Sequence, residues 1–199
     1  FIHPDDRAAA QEAFAHRLTR SGAADLPMTL RAQHRDGSLR TIELLGSNLL
    51  DNPAVAGIVI NGHDITARER AERALRESEK RFRALIESAP IAISLGRDGK
   101  LIYANPAYVR MYGFASADEL IGRPVTERLS PQCRDESLER SRLRARGEPV
   151  ETQYELVGLR KDGSEFPMLA MVTRVQLADG PANIGFFQDI TERKRAEAA

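Results

Sequence analysis

The side chains best able to do chemistry in this sequence are few, and they form no catalytic or metal-binding pattern. Cys133 is the single cysteine, so disulfides do not build the scaffold and a reducing, cytoplasmic compartment is expected. The four histidines have no metal-site spacing: His3, His16, His34 and His63. The sequence contains no glycine-rich phosphate loop, no His-Glu phosphorylation box, no Gly-Gly-Asp-Glu-Phe and no nucleophile elbow. We therefore expect neither an enzyme nor a metal site.

Two Asp-Ile-Thr triplets mark places where a strand passes directly into a helix. The first comprises Asp64 and Thr66, and the second comprises Asp189 and Thr191. Thr66 with Glu69, and Asp189 with Glu192, fit the capping box that satisfies free N–H groups at a helix start. Such a cap lets a strand continue directly into a helix, and ordinary helix capping is the simpler interpretation.

Between the triplets, residues 66–89 form a helical pattern with a narrow apolar stripe. The stripe has spacings of 4, 3, 4 and 3, and consists of Ala71, Leu75, Ser78, Phe82 and Leu85. This spacing is typical of a coiled-coil seam, and Glu and Arg occupy the other positions. We predict a parallel homodimer through this seam. The alternative is a solvated helix that packs on its own domain.

The overall composition excludes two classes of protein. Lys plus Arg equals Asp plus Glu, 29 of each, whereas a nucleic-acid binder normally carries a basic excess. No run of apolar residues is long enough for a membrane span in this stretch. With 42% hydrophobic and 29% charged residues, the composition is that of an ordinary globular protein.

An internal repeat of about 125 residues organises the chain, and this period indicates a duplicated domain and not a solenoid. Pro4 recurs as Pro131, Asp36-Gly-Ser as Asp162-Gly-Ser, and the Asp64 triplet as the Asp189 triplet. The second copy has about 50 more residues upstream of its proline. We therefore predict four segments. They are a truncated C-terminal half-domain at 1–66, a linker helix at 67–88, a complete domain at 89–190, and the start of an output helix at 191–199.

Turn and cap signals predict the elements of the complete copy. Asp98-Gly99 predicts a hairpin, Asn105-Pro106 a helix start, and Gly147 the end of a long helix that begins at Pro131. Ser116 and Glu119 fit another capping box. The order β-β-α-α-α-α-β-β-β predicts an α+β fold, a five-stranded antiparallel sheet with helices on one face. Residues 166–175 are apolar on both strand faces, so we expect both faces to be covered.

The first copy has the same closing strands without the hairpin and short helices. Its predicted strands are Leu26–Leu30, Thr41–Leu45 and Ala56–Ile60. About 60 residues make a marginal core, and an open apolar face favours association. We expect this half-domain to be completed by further chain or by a second copy.

The order and motifs of the complete copy resemble the PAS family, over about 82–193 in full and over 1–66 as a C-terminal half. The motifs are Arg81-Phe-Arg-Ala-Leu85, Ala89-Pro90, Asn105-Pro-Ala107, Gly113-Phe114, Leu120-Ile-Gly-Arg-Pro124, the Asp-Gly-Ser turns and the Asp-Ile-Thr triplets. The resemblance implies a PAS/PAC sensor module of a two-component histidine kinase or a cyclic-dinucleotide enzyme. It also implies that the Asp-Ile-Thr junctions relay the signal.

The resemblance also allows two family cofactors to be tested. Flavin photosensors of the family carry a reactive cysteine after the Ile-Gly-Arg segment, where this chain has Pro124 and Val125, and a glutamine where it has Phe187. Haem sensors of the family carry a histidine that falls here at Glu136 or Ser137. The sequence therefore argues against haem and against a covalent flavin adduct, and leaves the cofactor unknown.

Candidate ligand-pocket residues in the complete copy are apolar or aromatic: Ile93, Tyr103, Met111, Tyr112, Leu129, Tyr154, Met168, Ala170 and Phe187. Packing alone is the simpler role for most of them. Buried tyrosine hydroxyls need partners, however, and a ligand is one way to supply them. We expect a non-catalytic sensory and dimerisation module that relays a ligand or redox state to a C-terminal effector. A ligand-free structural spacer and the regulatory part of a diguanylate cyclase or phosphodiesterase are the alternatives.

Overall fold

The computed structural model describes residues 1–19 and 27–199, which divide into two compact units, Phe1–Glu79 and Lys80–Ala199. The first unit contains a 3-10 turn at Pro4–Asp6, α1 (Arg7–Leu18), β1 (Met28–Gln33), β2 (Leu39–Leu49), β3 (Gly57–Asp64) and most of α2 (Thr66–Ser88). Its strands form an antiparallel sheet in the order β1-β2-β3. Of the predicted strands, Thr41–Leu45 lies inside β2, whereas Pro27 precedes β1 and Ala56 precedes β3. Leu26 is outside the described residues.

The second unit carries the larger sheet. Its elements are β4 (Ala92–Arg97), β5 (Lys100–Ala104), α3 (Pro106–Met111), 3-10 turns at Ala117–Glu119 and Val125–Arg128, α4 (Pro131–Arg146), β6 (Gln153–Leu159), β7 (Glu165–Leu177), β8 (Gly180–Asp189) and α5 (Thr191–Glu197). In the described residues its five strands pair antiparallel in the order β5-β4-β8-β7-β6. The predicted α+β class with a five-stranded antiparallel sheet is confirmed.

Local signals explain most of these boundaries. Asp98 and Gly99 both have positive φ, 50° and 75°, as a tight hairpin turn requires. Asn105 caps α3, since its Oδ1 accepts from the Tyr108 N–H at 2.9 Å. Gly147 ends α4 in the left-handed conformation, with φ 75°.

The three predicted capping boxes form only in part. The turn after Ser116 is a short 3-10 turn, and the Ser116 hydroxyl makes no capping hydrogen bond. Glu119 instead accepts from the Ala115 N–H at 3.0 Å. At the starts of α2 and α5, the cap comes from an aspartate two residues before the first threonine, because a short carboxylate reaches the N–H of residue i+2 in an Asx turn.

The core of the second unit lies between the helices and one face of the sheet. Tyr112, Leu120 and Met168 are its most deeply buried large apolar side chains in the described residues. On β7, Phe166, Met168 and Ala170 face this core. The opposite face is partly open, with Met171 46% exposed. The expectation that both faces are covered is therefore not met by the residues that the structure describes.

The first unit and the linker helix leave several large apolar side chains exposed. They include Leu45, Val59 and Ile60 on the first sheet, and Leu75, Phe82 and Leu85 of the predicted seam on α2. Charged pairs support the solvent face of α2, with Glu72 accepting from Arg68 and Arg76 at 2.9 and 3.2 Å. In the part of the chain that the structure describes, no helix is both long enough and apolar enough to cross a membrane.

Candidate functional site

A cavity that is partly open to solvent lies in the second unit between its helices and its sheet. Every strand of the sheet except β5 contributes a wall residue. The walls are formed by Ser94, Gly96, Gly99, Tyr108, Tyr112, Val125, Leu129, Ser137, Ser141, Arg144, Tyr154, Leu156, Val172, Asn183, Gly185 and Phe187. A mostly apolar cavity with a few convergent polar groups is the usual form of a small-molecule site.

The structure brings four of the nine candidate pocket residues together in this cavity. They are Tyr112, Leu129, Tyr154 and Phe187. The other five do not line it: Ile93, Tyr103, Met111, Met168 and Ala170. Apolar character alone does not distinguish a residue that lines a cavity from one in a filled core.

The five remaining candidates lie in two kinds of place. Met168 and Ala170 are fully buried in packed core, and the Met168 sulfur accepts a hydrogen bond from the Tyr112 hydroxyl at 3.2 Å. Ile93 is buried on β4. Tyr103 and Met111 line separate surface grooves, one beside Ile102 and Phe114 and one beside Arg160. None of these five positions therefore offers its side chain to the cavity.

An aromatic cluster forms the floor of the cavity. The rings of Tyr108 and Tyr112 lie 4.7 Å apart, and the Phe187 ring meets Tyr108 edge-on at 5.5 Å. Burial raises the pKa of both tyrosine hydroxyls, and for Tyr112 the neighbouring Tyr108 adds to the rise. Both hydroxyls are therefore neutral at physiological pH and act only as hydrogen-bonding groups.

One polar corner of the cavity was not predicted from the sequence. Ser137, Ser141 and Arg144 follow one another along α4 at spacings of four and three residues, so they share a helix face. The Arg144 guanidinium is buried and donates from Nη2 to the Tyr154 hydroxyl at 2.9 Å. Arg140 lies over the Tyr154 ring at 4.0 Å.

Two sequence signals could have pointed to this corner. One is the helical spacing of the two serines and the arginine. The other is the repeat itself, because Arg17 stands at the same distance from Pro4 as Arg144 does from Pro131, and Arg17 is also buried. A buried arginine that recurs in both copies marks a position where the fold holds a cation against its sheet.

The donor set of the cavity does not fit the two family cofactors considered. Ser137, one of the two positions where a haem ligand would fall, lines the cavity and offers no imidazole. Cys133 is not a wall residue, and its sulfur accepts instead from the Val157 N–H at 3.5 Å. Phe187 occupies the wall position where the flavin sensors carry glutamine. Among residues 1–19 and 27–199, no group of His, Cys, Asp and Glu side chains is placed to hold a metal ion.

The predicted relay junction at Asp189 connects β8 to α5. Asp189 Oδ1 accepts from the Thr191 N–H at 2.9 Å and from its hydroxyl at 2.5 Å. Asp189 Oδ2 accepts from Arg160 Nη2 at 2.6 Å. Partial burial opposes ionisation, but the bonds from Thr191 and Arg160 outweigh it and lower the pKa of the Asp189 carboxyl.

Arg160 and Glu155 tie this junction to other elements. Arg160 Nη1 also donates to the carbonyl of Met111 at the end of α3, and its guanidinium stacks 3.9 Å from the Phe166 ring. Glu155 on β6 pairs with Arg193 and Lys194 of α5 at 2.7 and 2.6 Å. The helix α5 is therefore held by both β6 and β8.

The first unit has an equivalent junction at Asp64. Asp64 Oδ1 accepts from the Thr66 N–H at 2.9 Å and from its hydroxyl at 2.5 Å, and Arg40 approaches Oδ2 at 3.4 Å. The Thr66 oxygen in turn accepts from the Thr41 N–H at 2.8 Å. The two Asp-Ile-Thr triplets thus build the same strand-to-helix connection.

A family model described as a PAS domain matches residues 73–192. The solved PAS domain of an HTR-like protein from Haloarcula marismortui is 25% identical, covers 61% of this chain and 99% of its own, and superposes with a TM-score of 0.52. The "Sensor protein FixL" of Bradyrhizobium diazoefficiens is 25% identical over 99% of this chain. The "C4-dicarboxylate transport sensor protein DctS" of Rhodobacter capsulatus is 30% identical over 72% of it. The chain spans only 39% and 22% of the lengths of these two curated relatives.

Proposed function

The chain belongs to the PAS domain family, and on that premise we propose that it is a non-catalytic sensory and dimerisation module, in which the state of the cavity is relayed to α5. The observation that carries the proposal is that one strand serves both places. Gly185 and Phe187 of β8 form cavity wall, and the same strand ends at Asp189, which caps α5.

The coupling has a direct physical route. Phe187 and Asp189 are two residues apart on one strand, so a ligand that shifts the backbone at Phe187 also shifts the strand end that carries the cap. Arg160 provides a second route, since it bonds both Asp189 and the last turn of α3, the helix that supplies Tyr108 to the cavity wall. A shift at either place changes the geometry of the same aspartate.

The names of the curated relatives support a sensor kinase as the parent of such a module. They include sensor proteins and a sporulation kinase of Bacillus subtilis. We propose a cytoplasmic histidine kinase as the effector, with a cyclic-dinucleotide enzyme as the alternative. We also propose that two copies pair through the exposed seam residues Leu75, Phe82 and Leu85 of α2.

The relay is tested by filling the cavity with a mutation. A Cβ added at Gly185 would lie 2.5 Å from the Phe187 ring, so Gly185→Ala forces that ring to move. We expect the amide resonance of Thr191, whose N–H bonds Asp189, to shift in an NMR spectrum. Gly57→Ala is the matched control, because its Cβ meets only an ordinary contact at 3.5 Å.

The competing function is a structural spacer that binds nothing. It is favoured by the fact that the hydroxyls of Tyr112 and Tyr154 already have partners inside the protein. A spacer predicts no Thr191 response to Gly185→Ala and no bound molecule in native mass spectrometry of the purified protein. Both results together would refute the sensory role.

A further inference from the structure

We propose that the cavity of the second unit is a carboxylate site, in which Arg144 pairs with the acidic head of an amphiphilic small molecule. The inference rests on the proposed function, which makes the cavity a ligand site, and it adds the chemical class of the ligand. It is carried by a buried positive charge that the protein itself does not neutralise.

Arg144 is only 8% exposed, and its two hydrogen-bond acceptors are neutral groups. Nη2 donates to the Tyr154 hydroxyl at 2.9 Å and to the Glu151 carbonyl at 3.3 Å. Nε is buried without any acceptor, and no carboxylate among the described residues forms an ion pair with this guanidinium. An arginine stays protonated in proteins, so an uncompensated cation is buried beside the cavity, at a substantial cost in folding free energy.

Three other partly buried arginines of the same unit have carboxylate partners. Arg140 pairs with Glu136 at 2.7 Å, Arg160 with Asp189 at 2.6 Å, and Arg97 with an aspartate at 2.7 Å. Arg144 is more buried than these three arginines, and beyond its two neutral acceptors it has only the Tyr154 ring at 5.6 Å. A ring face at that distance is a weak substitute for a counter-ion.

The polar and apolar walls of the cavity indicate the chemistry of the rest of the ligand. Ser137 and Ser141 place hydroxyls on the same helix face as Arg144, whereas Leu156 and Phe187 line the cavity with apolar surface. A guanidinium offers parallel N–H groups that match a carboxylate. Glu136 already neutralises Arg140, so Arg144 is the one uncompensated positive charge at this corner of the cavity. A single positive charge matches a monoanion with an apolar body better than it matches a dianionic phosphate.

The test uses octanoate and 1-octanol as probes, titrated into the full 199-residue protein by isothermal titration calorimetry. The two share an alkyl chain and differ in charge. We expect the protein to prefer octanoate by at least about tenfold, the scale of a hydrogen-bonded charge pair. Arg144→Met should abolish the preference and keep octanol binding. Arg146→Met, on the same helix but exposed and paired with Glu148, should leave the preference intact.

Thermal unfolding, followed by tyrosine fluorescence, separates a binding role from a structural one. Methionine fills similar volume without charge, so Arg144→Met should keep or raise the unfolding midpoint. The inference is overturned if the parent shows no octanoate preference, if the preference survives Arg144→Met, or if that variant unfolds early and loses octanol as well. A bound neutral molecule would also overturn it, yet leave the sensory role standing. The sensory role fails separately, when Thr191 shows no response to Gly185→Ala and native mass spectrometry finds no bound molecule.

Discussion

Asp189→Asn tests the connection that fixes α5 to the sheet of the second unit. The substitution removes the carboxylate charge that pairs with Arg160 at 2.6 Å, but it keeps a side-chain oxygen that can accept from Thr191. The Asp189 side chain is 33% exposed and Arg160 is 27% exposed, so the pair is screened less than a surface ion pair. We expect the variant to lose about 1–2 kcal/mol of unfolding free energy, because solvent screening reduces the ~1.5–3 kcal/mol of a hydrogen bond to a charged group.

Asp189→Ala should cost about 1 kcal/mol more, because it also removes the helix cap. Asp179→Asn is the matched control. Its carboxylate bonds Arg97 in a two-pronged geometry at 2.7 Å, but the Asp179 side chain is 70% exposed. If burial, and not the number of hydrogen bonds, decides how strongly an ion pair stabilises the fold, Asp179→Asn lowers the free energy of unfolding by less than Asp189→Asn does.

The assay can report on the second unit alone. All four tyrosines lie in that unit, at 103, 108, 112 and 154, and the chain has no tryptophan. Tyrosine fluorescence during urea unfolding therefore follows residues 80–199 without a signal from the first unit. A double-mutant cycle with Arg160→Met should give a coupling of about 1 kcal/mol. If the losses of unfolding free energy from Asp189→Asn and Arg160→Met simply add, the two side chains are not coupled and the prediction is wrong. Equal losses for Asp179→Asn and Asp189→Asn would also contradict it.

Three further predictions concern pH, association and stability. The folded pKa of Asp189 lies below its ordinary value of 3.8. Its contribution to the free energy of unfolding is therefore present above that value and is lost as the pH falls through the folded pKa. We expect the urea midpoints of the parent and Asp189→Asn to converge as the pH falls through that folded pKa. Leu75→Arg and Phe82→Arg should each give monomers by light scattering, whereas Lys80→Glu on the outer face of α2 should stay dimeric; unchanged dimers in both seam variants would contradict the seam. In a monomeric sample, amides of β2 and β3 should exchange with deuterium faster than those of β7 and β8, because the first sheet leaves apolar residues exposed. Equal protection of the two pairs of strands would contradict this expectation.

Much of the fold was readable from the sequence because its signals are local. Asp98-Gly99 specifies a tight turn, Asn105 caps the helix that follows, and Gly147 ends the long helix. Each signal acts within about four residues, so no long-range contact is needed to interpret it. The motif order then gave the α+β class and the PAS resemblance.

The cavity was only partly readable. Apolar or aromatic character predicts four of the cavity residues, Tyr112, Leu129, Tyr154 and Phe187. The same property also selects buried core residues such as Met168, which do not line the cavity. The cavity exists where opposing side chains fail to fill the gap between α4 and the sheet. That outcome depends on the shapes of residues far apart in sequence, which periodicity does not encode.

The sequence by itself determined the elements, their order and the two capped junctions, because turns and caps are interactions between close neighbours along the chain. Only the tertiary structure decided which face of α4 turns inward. That helix carries charges around its circumference, so it has no clear apolar stripe to orient it. Packing of α4 against the sheet therefore brings Arg144 to the cavity beside Tyr154, and strand pairing brings Arg160 to Asp189, 29 residues away.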